Sequence, residues 1–178
     1  MKRIATIAGS NSSKSINKEL VHFVGGLMKD DTQVDNLDLI KYDVPIYNPD
    51  REKETGVPEK ITKLFNLLKT YDAFIIATPE HNGGLPAFFK NILDWLSRVD
   101  RDVFGDKPTL LLATSPGRFG AGKALSTLSG MLPHFGADVK SQYSLASFYD
   151  SFDMGNKVLK TELETGKIAA AIKVFVGE

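Results

Sequence analysis

Short apolar runs alternate with segments of helical period along the whole chain, and this alternation restricts the fold more than any other feature. Ile4-Ala5-Thr6-Ile7-Ala8, ending at Gly9, is apolar without a period and reads as a buried strand. From Ile16 the spacing changes. Ile16, Leu20, Phe23, Val24 and Leu27 fall on one helical face, with Ser15 as the N-cap. Gln33 to Leu39 alternates weakly and predicts a second strand near an edge, and Lys41 to Gly56, rich in Pro, Asp and Asn, predicts a polar loop. Pro58 suits the first turn of a second helix with the face Ile61, Leu64, Phe65 and Leu68.

The second half repeats the pattern. Asp72 to Thr78 is apolar on both faces and predicts a central strand. Pro86 opens a third helix through Ala87, Phe88, Ile92, Leu93 and Leu96. Thr109 to Thr114 predicts a fourth buried strand, followed by a helix through Leu125, Leu128, Met131 and Leu132. Ala137 to Leu145 is a fifth, more polar strand, and Thr161-Glu162-Leu163-Glu164 is a capping box opening a last helix through Ile168, Ile172 and Phe175. Five such units predict an α/β fold with a doubly wound parallel sheet between helical layers. No linker or repeat interrupts the pattern, so residues 1–178 are expected to form one domain. Both common doubly wound strand orders fit it.

Charge and composition narrow the function classes. Basic and acidic residues number 22 each, which argues against a nucleic-acid binder and gives no polybasic membrane signal. The absence of cysteine excludes disulfides, thiolate metal sites and cysteine nucleophiles. His22, His81 and His134 lie far apart, without zinc spacing, so no metal site is expected. Met1-Lys2-Arg3 leads into a run too short for a signal peptide, and no apolar stretch approaches the roughly 20 residues that span a bilayer. The expectation is a soluble, cytoplasmic protein.

In such a sheet, ligands bind beyond the carboxyl ends of the strands, and three segments there are unusual in composition. Gly9 to Asn17 turns from a strand into a helix N-terminus, surrounded by Ser10, Ser12, Ser13, Ser15, Asn17 and Lys14. Free N–H groups, a partial positive charge and hydroxyl donors suit a phosphate. An N-capped helix behind a polar turn is the plainer reading, but it accounts for Ser15 alone. Gly9 to Ser15 also looks like a P-loop lacking its second glycine, which keeps an NTPase as an alternative. The turn has one glycine where a dinucleotide fingerprint has three. Thr78 to Pro86 is shaped by two prolines around Gly83-Gly84, both able to take positive φ; Pro79 could border a flat ring and His81 could stack on it or face solvent. Ser115 to Gly122 carries three glycines at a strand end, which suggests a close backbone approach, and Arg118 could meet an anion or solvent.

Together these loops resemble the NADPH-dependent FMN reductase family. Its opening G-S-x-R-x-x-S-x-N is similar to Gly9 to Asn17, and its P-E-Y-N-x-x-x-P to Pro79 to Pro86. Its K-N-x-x-D-W matches Lys90, Asn91, Asp94 and Trp95, and its S-P/S-G-x-x-G-G resembles Ser115 to Ala121. The resemblance implies a flavodoxin-like, doubly wound five-stranded parallel sheet in three α/β/α layers. It implies FMN as cofactor and NADPH or NADH as donor, with a nicotinamide giving hydride to the flavin. Electrons then pass to a quinone-like, azo, metal-ion or free-flavin acceptor, within a homodimer or homotetramer. By the same resemblance, Ser10, Ser12, Ser15, Ile16 and Asn17 hold the phosphate. Pro79, Glu80, His81, Asn82 and Gly83, with Ser115, Pro116, Gly117 and Gly120, border the ring. Glu80 is structural, and no catalytic side chain is assigned. Ser12 stands where the family has Arg, with Lys14 as the compensating cation, and His81 replaces a Tyr. A flavodoxin-type electron carrier or a flavin-binding module without its own substrate is the alternative, against which zero net charge speaks.

Overall fold

The computed structural model describes residues 2–29 and 31–178. Met1 of the N-terminal basic run therefore lies outside the described residues. Five parallel strands, β1 (Lys2–Ala8), β2 (Thr32–Leu37), β3 (Ala73–Thr78), β4 (Lys107–Thr114) and β5 (Ala137–Leu145), stand in the order β2-β1-β3-β4-β5. This is the flavodoxin-like order, and it settles the choice that periodicity left open. β2 is an edge strand with no fully buried residue, which is why its apolar pattern is weak.

Successive residues of the central strands feed two cores. Ala5 and Ile7, Phe74 and Ile76, and Leu111 and Ala113 pack on one face against α3 (Glu59–Lys69), α4 (Ala87–Val99) and α5 (Gly122–Met131). Ile4 and Ala8, Ile75 and Ala77, and Leu110 and Leu112 pack on the other against α1 (Ile16–Gly25) and α7 (Glu162–Val176). Among the described residues, no helix is long and apolar enough to cross a membrane.

Several local expectations change. Pro49–Thr55, expected as loop, is a helix, α2, capped by the Asn48 side chain and ended by Gly56 at positive φ. It has no buried residue, so no apolar period marks it. On α4, Phe89 rather than Phe88 is the buried ring. After β5 the chain forms a four-residue helix, α6 (Phe148–Ser151), and a small antiparallel pair, β6 (Phe152–Asp153) and β7 (Val158–Leu159), all too short for periodicity to reveal.

The K-N-x-x-D-W segment on α4 serves packing. Trp95 is fully buried and donates from Nε1 to the Pro45 carbonyl at 2.8 Å. Asn91 accepts the Tyr47 N–H at 2.8 Å and donates to the Val44 carbonyl at 3.1 Å, so α4 pins the segment between β2 and α2. Lys90 and Asp94 form an i,i+4 surface pair.

Candidate active site

The strand order places the carboxyl ends of β1, β3 and β4 side by side. The loops leaving them surround an open cleft of about 270 Å³. The first loop contributes Ser10, Ser12, Lys14, Ser15, Ile16 and Asn17; the second Pro79, Glu80 and His81; the third Ser115 and Pro116. Thr114, at the end of β4, and Tyr149 complete it.

In the first loop each key serine already accepts one backbone hydrogen bond. Ser10 Oγ accepts the Ser12 N–H, Ser12 Oγ the Lys14 N–H, and Ser15 Oγ the Lys18 N–H, each at 3.2 Å. With an oxygen lone pair engaged, each hydroxyl can present its proton outward. None of these three hydroxyls donates to an acceptor among the described residues. The backbone N–H groups of Ile16 and Asn17, in the first turn of α1, likewise have no partner there. Lys18 is paired with Asp38 at 3.2 Å, whereas no carboxylate of the described residues lies within ion-pair distance of Lys14. Donors and an uncommitted cation at a helix N-terminus make a pocket for an anion.

The Asn17 amide has partners within the protein. The residue is 1% exposed and its side chain bridges to β4. Nδ2 donates to the Thr114 carbonyl at 3.0 Å, and Oδ1 accepts the Thr114 N–H at 3.0 Å. The amide group ties the first loop to the third, which leaves the backbone N–H of Asn17 as its group for an anion.

The second loop is a tight hairpin. His81 and Gly84 exchange two backbone hydrogen bonds, each at 3.0 Å. Asn82 (φ 53°) and Gly83 (φ 79°) both take positive φ between them, the pattern of a type I′ turn. Gly84 closes the turn rather than adopting positive φ, and Asn, whose short amide tolerates the left-handed region, takes that place. His81 lines the cleft, while Asn82 and Gly83 lie at the exposed tip.

Glu80 links this loop to the third. Its Oε2 accepts the N–H groups of Lys123 at 3.0 Å and Ala124 at 3.1 Å, capping α5 from outside. The residue in the N-cap position, Ala121, has no side-chain oxygen to do so. A carboxylate there is also favoured by the helix dipole. In the third loop, Gly117 exposes its edge to solvent and its carbonyl accepts the Ser147 N–H at 2.9 Å. Gly120 is not among the residues that line the cleft. At φ 56° a Cβ there would lie 2.3 Å from Ser144 Oγ, so it packs closely on β5. Arg118 is exposed and stacks on Phe119 at 4.7 Å.

Sequence reasoning missed Tyr149. It sits on α6, where one turn gives no period to read, and it reaches the cleft because the Phe148 N–H donates to the Ser115 carbonyl at 3.0 Å.

A flat group bearing one phosphate fits these residues: hydroxyl and N–H donors at one end, and the edges of Pro79 and Pro116 at the other. Residues 2–150 match the family described as NADPH-dependent FMN reductase. The chain belongs to that family. The reductase is 34% identical over 130 residues to a 2-hydroxy-1,4-benzoquinone reductase of a Burkholderia species, covering 72% of this chain and 69% of the relative. It is 28% identical over 159 residues to an NAD(P)H-dependent FMN reductase of Pseudomonas aeruginosa, covering 88% of this chain and 84% of the relative. Among solved structures it resembles the flavoenzyme NAD(P)H:(acceptor) oxidoreductase FerB of Paracoccus denitrificans. That likeness has a TM-score of 0.78 at 25% identity, over 99% of this chain and 96% of that one. The reductase is thus an NAD(P)H-dependent enzyme with FMN as its cofactor. The P-loop spacing of Gly9 to Ser15 gives way to this assignment.

Proposed function

We propose that the reductase seats the FMN phosphate at the start of α1 and the flavin ring along Pro79–His81 and Ser115–Pro116. It passes electrons from NAD(P)H to a quinone-like acceptor. The observation that carries this reading is the set of three serine hydroxyls, each already accepting an N–H and left to donate into one cleft. FMN, when bound, supplies two-electron chemistry that no side chain in the cleft possesses. The protein's residues bind and position. Ser10, Ser12 and Ser15 donate to the phosphate with the N–H groups of Ile16 and Asn17, and Lys14 offsets its charge. Glu80 fixes the second loop against α5, so that both walls of the ring site keep their spacing. No side chain is given an acid–base role. The quinone-like acceptor is favoured by the Burkholderia relative, whose name states a benzoquinone substrate. In this reading residues 1–178 act as one FMN-binding domain in the cytoplasm, as a homodimer or homotetramer.

The test is an absorption spectrum of freshly purified protein, followed by NADPH and NADH oxidation with a benzoquinone, an azo dye, ferric or chromate ions, and free flavin as acceptors. A bound-flavin spectrum and ping-pong kinetics with the quinone as best acceptor are expected, because donor and acceptor use one cleft in turn. Flavin binding without turnover on any acceptor would instead make the protein an electron carrier or a binding module.

A further inference from the structure

We infer that Tyr149 is a ligand of this cleft, its phenol hydroxyl donating to the phosphate held at the start of α1. The assignment rests on the FMN reading above. The side chain lines the cleft together with Lys14, Ser15 and Ser115, yet stays 57% exposed. Its hydroxyl has no hydrogen-bond partner among the described residues, although an O–H can both donate and accept.

The backbone that carries it is fixed. The Phe148 N–H donates to the Ser115 carbonyl at 3.0 Å, and the Asp150 N–H to the Ser147 carbonyl at 2.8 Å. Lys160 Nζ donates to the carbonyl of Tyr149 itself at 2.8 Å. Ser147 enters the turn at φ 46°, a left-handed conformation that residues with a Cβ rarely adopt and that recurs at ligand sites.

The side of the cleft is also set. Phe148 is buried and stacks on Phe152 at 5.0 Å, and Phe152 meets Phe23 of α1 edge-on at 5.5 Å. Through Phe152, which follows it on β6, the turn packs on the last turn of α1 and so lies on the same face of the sheet as that helix. Pro79–His81 instead lead into α4, on the opposite face of the sheet. A phosphate offers three strong acceptor oxygens, and donors from the helix side alone leave its outer face to water. Tyr149, which lines the same cleft as Lys14 and Ser15, supplies a donor from outside the helix.

The experiment is fluorescence titration of the wild-type apoprotein and of Tyr149→Phe and Tyr149→Ala with FMN, riboflavin and lumiflavin. Tyr149→Phe keeps the ring and its edge contact with Phe148, so it should keep the wild-type melting temperature. Tyr149→Phe should weaken FMN binding about tenfold and leave riboflavin, which lacks the phosphate, unchanged. Tyr149→Ala should do at least as much to FMN. Unchanged FMN affinity in Tyr149→Phe overturns the assignment. So does an equal loss for FMN and riboflavin, which would put the ring rather than the hydroxyl against the flavin. A wild-type protein that binds no flavin removes the FMN reading itself, before any variant is compared.

Discussion

Ser15 closes the first turn of α1 by accepting the Lys18 N–H, which leaves its hydroxyl proton for a ligand. A hydrogen bond to a charged group contributes about 1.5–3 kcal/mol, and each 1.4 kcal/mol is about tenfold in affinity. Ser15→Ala should weaken FMN binding roughly ten- to a hundredfold by titration. It should also lower apoprotein stability by about 1 kcal/mol in urea denaturation, through loss of the cap. Asn17 separates from it. Removing its amide leaves the N–H and carbonyl of buried Thr114 unpaired, so Asn17→Ala should cost about 2–3 kcal/mol of apoprotein stability. Equal stability of wild type and Asn17→Ala would show that the bridge to Thr114 carries little weight. The serine cluster was legible in the sequence because hydroxyls at a strand-to-helix turn have a local meaning. The partner of Asn17 was not, because it lies 97 residues away and only the fold brings it near. Tyr149 was illegible for the same reason.

At the scale of elements, α5 depends on a residue that does not belong to it. Glu80 caps its first turn from the second loop, which ties that loop to the start of α5. Glu80→Ala should lower stability by about 1 kcal/mol, as loss of a cap does, and should raise amide exchange at Lys123 and Ala124. Unaltered exchange there would mean that α5 caps itself. Elements with a buried face were readable: β3 and α3 lie within a residue or two of their expected bounds because burial imposes a period. α2 was not, since its charged residues share no buried face, although Asn48-Pro49 and Gly56 frame it with ordinary start and stop signals. The Thr161–Glu164 box is half formed. Thr161 accepts the Glu164 N–H, but the Glu164 carboxylate turns to the Tyr143 hydroxyl and to Lys167. Burial pushes the Tyr143 phenol above its ordinary range, and Glu164 beside it pushes further, so Tyr143 stays a neutral donor to that carboxylate.

For the whole molecule, the order β2-β1-β3-β4-β5 decides what the local motifs can do together. It brings the α1 terminus, on one face, and the loops that lead to α4 and α5, on the other, to one end of the sheet. In the proposed reading a ligand there spans the end of the sheet, with its anion on the α1 side and its flat group on the other. Neither the strand order nor that division could be read from periodicity. The resemblance of the loop motifs implied the first, and the two cores, one against α1 and the other against α4 and α5, show the second. The central claim is that the phosphate anchors the cofactor to the first loop. Titration of the apoprotein with FMN and with lumiflavin, followed by flavin fluorescence at low and high salt, measures it most directly. FMN should bind at least about a hundredfold more tightly, from two or more charged hydrogen bonds, with a margin that narrows as salt rises. Equal affinity for the two at every ionic strength would mean that the serine loop holds no phosphate and that the flavin lies elsewhere.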